Sequence, residues 1–297
     1  LHYAAYRGSD QMIKLLLQKG ADPGLQNSRG RTPLHIALME QHNSAAEKLI
    51  PHISRDAMNI SEDSGSTPLH YACLIAEDSA EMITTLISSG AQVEARNRRN
   101  LKQSSLHTAV GNHACRDRHI PLLLAHGALT ELEDAEGNTP LHIAVVNQKV
   151  HAAAALLEAG ADVEAVNQEG SRSLSLAVKS GNVQMVKLLL LHGARVTSAS
   201  LLFAMGKGCD DGILHHLADS PMRDLDTIEL ILGYGTDVNA EDDTGSTPLH
   251  EAAKAGNALM IKKLLEHGAA MHWQNHAGNM PLDLAQQGRH REAVECL

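Results

Sequence analysis

The 297-residue sequence predicts an all-α solenoid of about nine helix–turn–helix units, each followed by a β-hairpin loop. Three observations predict it. Gly245-Ser246-Thr247-Pro248-Leu249-His250-Glu251-Ala252-Ala253 reads as the opening of a short helix, and versions of it recur along the chain. The leucines that mark these openings are Leu1, Leu34, Leu69, Leu106, Leu141, Leu174, Leu201, Leu249 and Leu282, mostly 33 residues apart or 33 plus a two- or four-residue insertion. Aromatic residues are only 2% of the chain, so the buried layers must be aliphatic, as thin stacked helices allow.

Within one unit each residue has a readable task. The Thr247 hydroxyl suits a helix N-cap, and Pro248 suits the first helical position, which needs no N–H. Leu249 and Ala252 then share a face, and Gly256 is a natural left-handed stop. Ala258, Ile261, Leu264 and Leu265 predict a second helix ending at Gly268. The same opening stands in Thr32-Pro33-Leu34-His35-Ile36-Ala37, Thr67-Pro68-Leu69-His70-Tyr71-Ala72 and Thr139-Pro140-Leu141-His142-Ile143-Ala144. Hairpin signatures stand in Gly160-Ala161-Asp162-Val163-Glu164-Ala165 and Gly235-Thr236-Asp237-Val238-Asn239-Ala240. On these motifs the chain resembles the ankyrin-repeat family over nearly its whole length, apart from about residues 209 to 226. The resemblance implies a rigid, non-catalytic protein-interaction module whose partners dock on a concave face.

In chain order, residues 1–297 read as a single array with incomplete first and last repeats. The open ends at Leu1 and Leu297 predict a piece of a longer array or protein. Pro51 should end the second helix of repeat two early and leave a hairpin two residues longer. Repeat three adds two residues in Ile75-Ala76-Glu77-Asp78-Ser79 and two more in its basic outgoing hairpin, Arg96 to Lys102. Ser104-Ser105 replaces Thr-Pro in repeat four, and Arg172-Ser173-Leu174-Ser175 replaces the opening motif in repeat six. Repeat seven (201–240) is irregular: it lacks its exposed hairpin and carries an insertion at about 209–223.

A formal charge of −10 argues against a generic nucleic-acid or membrane-surface binder. No apolar run approaches the roughly 20 residues that span a bilayer. Cys73, Cys115, Cys209 and Cys296 form no CxxC pair, which points to free thiols and an intracellular, cytoplasmic protein. The sequon Asn59-Ile60-Ser61 falls in a hairpin-like segment. Of 19 histidines, six (His2, His35, His70, His107, His142, His250) occupy the opening motif, where the resemblance implies a structural role. His52, His126, His192 and His267 precede the helix-ending Gly or its equivalent, where a cation is mildly favourable. Cys209, Asp210, Asp211, His215 and His216 cluster in the insertion, but adjacent His215 and His216 diverge by about 100° on a helix, an awkward pair for one metal. No nucleophile–base–orienter pattern and no phosphate loop appears, so neither enzyme activity, cofactor nor metal is expected.

Partner-binding residues are expected at hairpin tips and first-helix ends: Arg29, Arg31, Met39, Leu74, Ile75, Arg96, Arg98, Arg99, Glu136, Asn138, Val146 and Asn147. Apolar Met39, Leu74, Ile75 and Val146 stand where any polar residue would serve. Basic tips precede acidic ones (Asp134, Glu136, Glu241, Asp242, Asp243). The expected partner is another protein, presenting an extended segment with an acidic portion. The other reading is a regulatory or sensing region of a larger enzyme, signalling protein or channel.

Overall fold

A computed structural model describes residues 1–75, 80–97, 102–112, 118–196, 225–234, 236–242 and 244–297. The expected first helix of repeat seven, the 209–223 insertion with its His–Cys–Asp cluster, and Arg98 and Arg99 lie outside the described residues. The chain forms two compact units, Leu1–Asp162 and Val163–Leu297.

In the first unit, the first helices of the repeats are α1 (His2–Tyr6), α3 (Pro33–Met39), α6 (Pro68–Leu74), α8 (Ser105–Gly111) and α10 (Pro140–Val146). Each packs on the next: α1 on α3, α3 on α6, α6 on α8, α8 on α10. The second helices are α2 (Asp10–Gln18), α4 (Asn43–Leu49), α7 (Ala80–Ser88), α9 (His119–Ala125) and α11 (Val150–Glu158), which form the other layer. Between the layers Leu34, Leu69, Leu106 and Leu141 are buried with Ile13, Leu49, Ile83, Leu123 and Leu156. Each such side chain contributes about 1.5–3 kcal/mol on leaving water.

The second unit repeats the plan with α12 (Ser173–Lys179), α13 (Val183–Leu191), α14 (Leu225–Gly233), α15 (Pro248–Ala255), α16 (Ala258–Glu266), α17 (Pro281–Gln287) and α18 (Arg291–Cys296). There α15 packs on α17, and α16 on both α14 and α18. Gly256 ends α15 in the left-handed region at φ 70°, as its sequence position predicts.

The opening motif works through its histidine. The Thr32 N–H donates to His35 Nδ1 (3.2 Å), and the Thr32 hydroxyl lies 2.8 Å from the same nitrogen. With Nδ1 accepting, Nε2 carries the proton and donates to Ser66 O of the following repeat (3.2 Å). His70 reaches Gln103 O, His107 reaches Asn138 O and His250 reaches Asn279 O in the same way, at 3.0–3.1 Å. Ser104 replaces threonine without loss of the motif, its hydroxyl 2.8 Å from His107 Nδ1. In the last opening, the Asp283 carboxylate accepts from Met280 N–H (2.8 Å) in place of the imidazole.

A second tie between repeats is a side-chain oxygen that accepts a backbone N–H one repeat on. Asn59 accepts from Gln92, Glu94 from Leu129 and Glu131 from Asp162 in the first unit; Glu164 accepts from Arg195 and Asn239 from Ala270 in the second. Asn59 also donates to Arg55 O and Gly90 O, so the sequon asparagine is engaged in structure.

The hairpins are tight turns: among the described residues only the isolated bridges Arg96–Ser104 and Val166–Arg172 register as strand pairing. A side-chain oxygen of Asn or Asp organises most tips, as where Asn27 Oδ1 accepts from the N–H groups of Arg29 and Arg31. One detail differs from expectation. Pro51 does end α4 early, through a 3-10 turn at Ile50–His52, but the longer hairpin then winds a short helix, α5 (Arg55–Met58), capped by Ser54. At the helix ends, Nδ1 of His192 and of His267 bonds the carbonyl four residues back.

Candidate partner-binding surface

The cap fixes where α3, α6, α8 and α10 start, so the fifth residue after the marker leucine falls in the last turn, as it also does in α1. In the first unit that register carries Tyr6, Met39, Leu74, Gly111 and Val146. Leu74 is 49% exposed and Val146 58%, while Met39 is half-buried. Tyr6, 52% exposed, is the member that sequence reasoning missed; counting five residues from Leu1 would have found it.

Ile75 is a correction. It is only 3% exposed and packs inside, so it cannot meet a partner as expected from sequence. The cause is the end of α6: after Leu74 the backbone turns extended, with φ −70° and ψ 128° at Ile75, and the side chain swings inward. Asn112 closes this end from the next repeat, its Nδ2 donating to Leu74 O (2.9 Å) and Cys73 O (3.3 Å).

The polar tip residues are partly committed to the fold. Arg29 is exposed, and its carbonyl accepts from Asp63 N–H (3.1 Å). Arg31 pairs with Glu62 at 3.7 Å. Burial would raise the Glu62 pKa, but the Ser64 hydroxyl and N–H together with Arg31 outweigh it and hold the carboxyl below the usual range. Arg96 donates to Lys102 O (2.9 Å) and to Glu133 O, joining its hairpin to the next. Glu136 is exposed and accepts from Asn138 Nδ2 (3.1 Å), and Asn138 O accepts the hydrogen bond from His107 Nε2 described above. Asn147 caps α10 and is half-buried.

Between α6, α8 and their hairpins lies a pocket of about 230 Å³. Tyr71 and Leu74 give it apolar lining, and Ser66, Asn97, Gln103 and Thr108 give it polar lining beside His70. Tyr71 also sets its ring edge-on to His35, with centroids 5.8 Å apart. Burial lowers the pKa of His70, partly offset by its bond to Gln103, so this imidazole stays neutral at pH 7. Among the described residues, no three His, Cys, Asp or Glu side chains converge as metal ligands. Nor is any described helix long and apolar enough to cross a membrane.

Stacked helix pairs, capped by Thr–His bonds and joined by turned tips, define a repeat solenoid with an exposed helix-end face. A family model of ankyrin repeats matches residues 1–97, 75–167, 106–200 and 214–297, and the chain belongs to the ankyrin-repeat family. It is 30% identical to mouse Rabankyrin-5 over 49% of this chain and 12% of that protein. It is 29% identical to human transient receptor potential cation channel subfamily A member 1 over 97% of this chain and 25% of the channel. It is 30% identical to the mouse B-cell lymphoma 3 protein homolog over 88% of this chain and 49% of that protein. The chain thus spans half or less of each of these curated relatives. Ankyrin repeats are a protein-interaction module.

Proposed function

We propose that this chain is a non-catalytic scaffold or adaptor module, working inside the cell, that holds another protein along the first-helix face of its first unit. The observation that carries this reading is the exposure of Leu74 and Val146 at the same register, beside half-buried Met39. Apolar side chains left in water at matching positions of several repeats are characteristic of a docking surface. The tips at Arg29, Arg31, Arg96, Glu136 and Asn138, with Asn147 at the end of α10, supply a polar rim. A preformed array loses little conformational freedom on binding, which favours recognition without rearrangement. The test compares capture of partners from cell extract by the wild-type chain and by a Met39→Asp/Leu74→Asp/Val146→Asp variant of unchanged helical content. Equal capture by both would sink the reading.

A second reading, a regulatory or sensing region within a larger polypeptide, is favoured by the alignment of 97% of this chain to a quarter of a channel. Reading the gene on both sides of the chain separates the two.

A further inference from the structure

We infer that the pocket beside Leu74 seats one large apolar side chain, of leucine, methionine or phenylalanine size, from an extended acidic segment of the partner polypeptide. This rests on the first-helix face being the docking surface. Size argues for a side chain and against a free small molecule. At about 230 Å³ the pocket falls below the roughly 300–1,000 Å³ of ordinary small-molecule sites. It still exceeds the roughly 150 Å³ that accommodates a benzene ring in a protein interior.

The lining argues for a polypeptide. Gln103 gives its carbonyl to His70 and its N–H to Asn97 Oδ1. Its side-chain amide makes no hydrogen bond among the described residues, and it presents one donor group and one acceptor at the rim. That is the pattern an extended peptide group matches.

The charge argues for acidity. On the Ser66 side, the Glu62 carboxylate is already matched by Arg31. On the Gln103 side, Lys102 is exposed and makes no ion pair among the described residues, beside Arg96, whose guanidinium donates to Lys102 O. A carboxylate one to three residues from the seated side chain would meet Lys102.

The test selects random peptides of about twelve residues on the full chain by display, then measures the enriched peptides by fluorescence polarisation. Enriched sequences should carry Leu, Met or Phe within three residues of Asp or Glu. Leu74→Asp should weaken them by at least about tenfold, as expected for a central anchor. Lys102→Glu, at an exposed position that leaves the fold intact, should weaken them several-fold and flatten their salt dependence. Failure to enrich such peptides, or binding unmoved by both substitutions, overturns the inference. If Met39→Asp or Val146→Asp weakens the peptides while Leu74→Asp and Lys102→Glu do not, the pocket is wrong and the docking face stands. If none of the four matters, both readings fall.

Discussion

His35 Nε2 stands 3.2 Å from the carbonyl oxygen of Ser66, thirty-one residues further along the chain. Its other nitrogen accepts the Thr32 N–H, so the ring holds one proton and has no place for a second. Burial, offset in part by the Ser66 bond, lowers its pKa from 6.5 to about 4. The unfolded chain therefore takes up a proton as pH falls through about 6.5, while the folded chain refuses it until about 4. Stability present above pH 6.5 is lost across that window, by about 3 kcal/mol in full from His35. Burial lowers the pKa of His70, His107 and His250 as well, which adds to the loss. The urea midpoint should drop clearly between pH 7 and pH 5, above the range where most carboxylates titrate; an unchanged midpoint refutes the account.

Gly256 and Gln148 occupy the same place in their repeats, the left-handed residue after the first helix, at φ 70° and 55°. At Gly256 a Cβ would lie 2.5 Å from the His290 ring, whose Nε2 bonds Lys254 O (3.0 Å). Gly256→Ala should therefore destabilise by about 1–2 kcal/mol, from backbone strain together with displacement of His290. Gln148→Gly relieves the same strain and should stabilise by up to about 1 kcal/mol, less the entropy that glycine gains when unfolded. Thermal melts of the two variants should move in opposite directions.

Glu62 is a buried carboxylate in the position that Asn or Asp fills at most other tips, and its longer arm reaches Arg31. Glu62→Ala removes the acceptor for Ser64 and strands the partly buried Arg31, so a loss of about 2 kcal/mol is expected. Glu62→Gln keeps an acceptor oxygen and should lose about half as much. Because the folded pKa lies below the unfolded value, the contribution is full above that value and fades as pH falls through the folded one. The wild-type advantage over Glu62→Gln, measured by chemical denaturation, should shrink at pH 3; an advantage that does not change with pH would refute the ionised pair.

The sequence was most legible where repeats agree. The marker leucines, the Thr–Pro opening and the stop at Gly256 follow from capping and periodicity alone, and the opening-motif histidines proved structural as the resemblance implied. The ties made by Glu94, Glu131 and Glu164 were equally periodic, each four residues after a helix-ending glycine, yet no local rule assigns a surface glutamate to a backbone N–H in the next repeat. His42 and His290 show the same limit: each reaches a carbonyl thirty-six residues back, Tyr6 O or Lys254 O. At the candidate site, register alone placed Leu74 and Val146 on the surface. It failed at Ile75, where the backbone leaves the helix and turns extended, so the side chain faces inward.

Leu74 and Ile75 are neighbours in sequence with opposite fates, and that contrast gives the sharpest test of the docking face. Leu74 is about half exposed, so Leu74→Asp places a carboxylate in water and should change stability by no more than about 0.5 kcal/mol. Ile75 is buried, so Ile75→Asp forces a charge into an apolar layer without a partner and should cost several kcal/mol, enough to unfold its repeat. A double substitution would confuse loss of folding with loss of binding. The single variants separate them: circular dichroism melts should leave Leu74→Asp intact and shift Ile75→Asp strongly downward. Among folded variants, Leu74→Asp should then lose partner capture while Ile75→Val, which preserves the buried apolar contact, should keep it. Loss of capture by Ile75→Val, with capture intact in Leu74→Asp, would mean that the partner reads the interior end of α6 and not its exposed face.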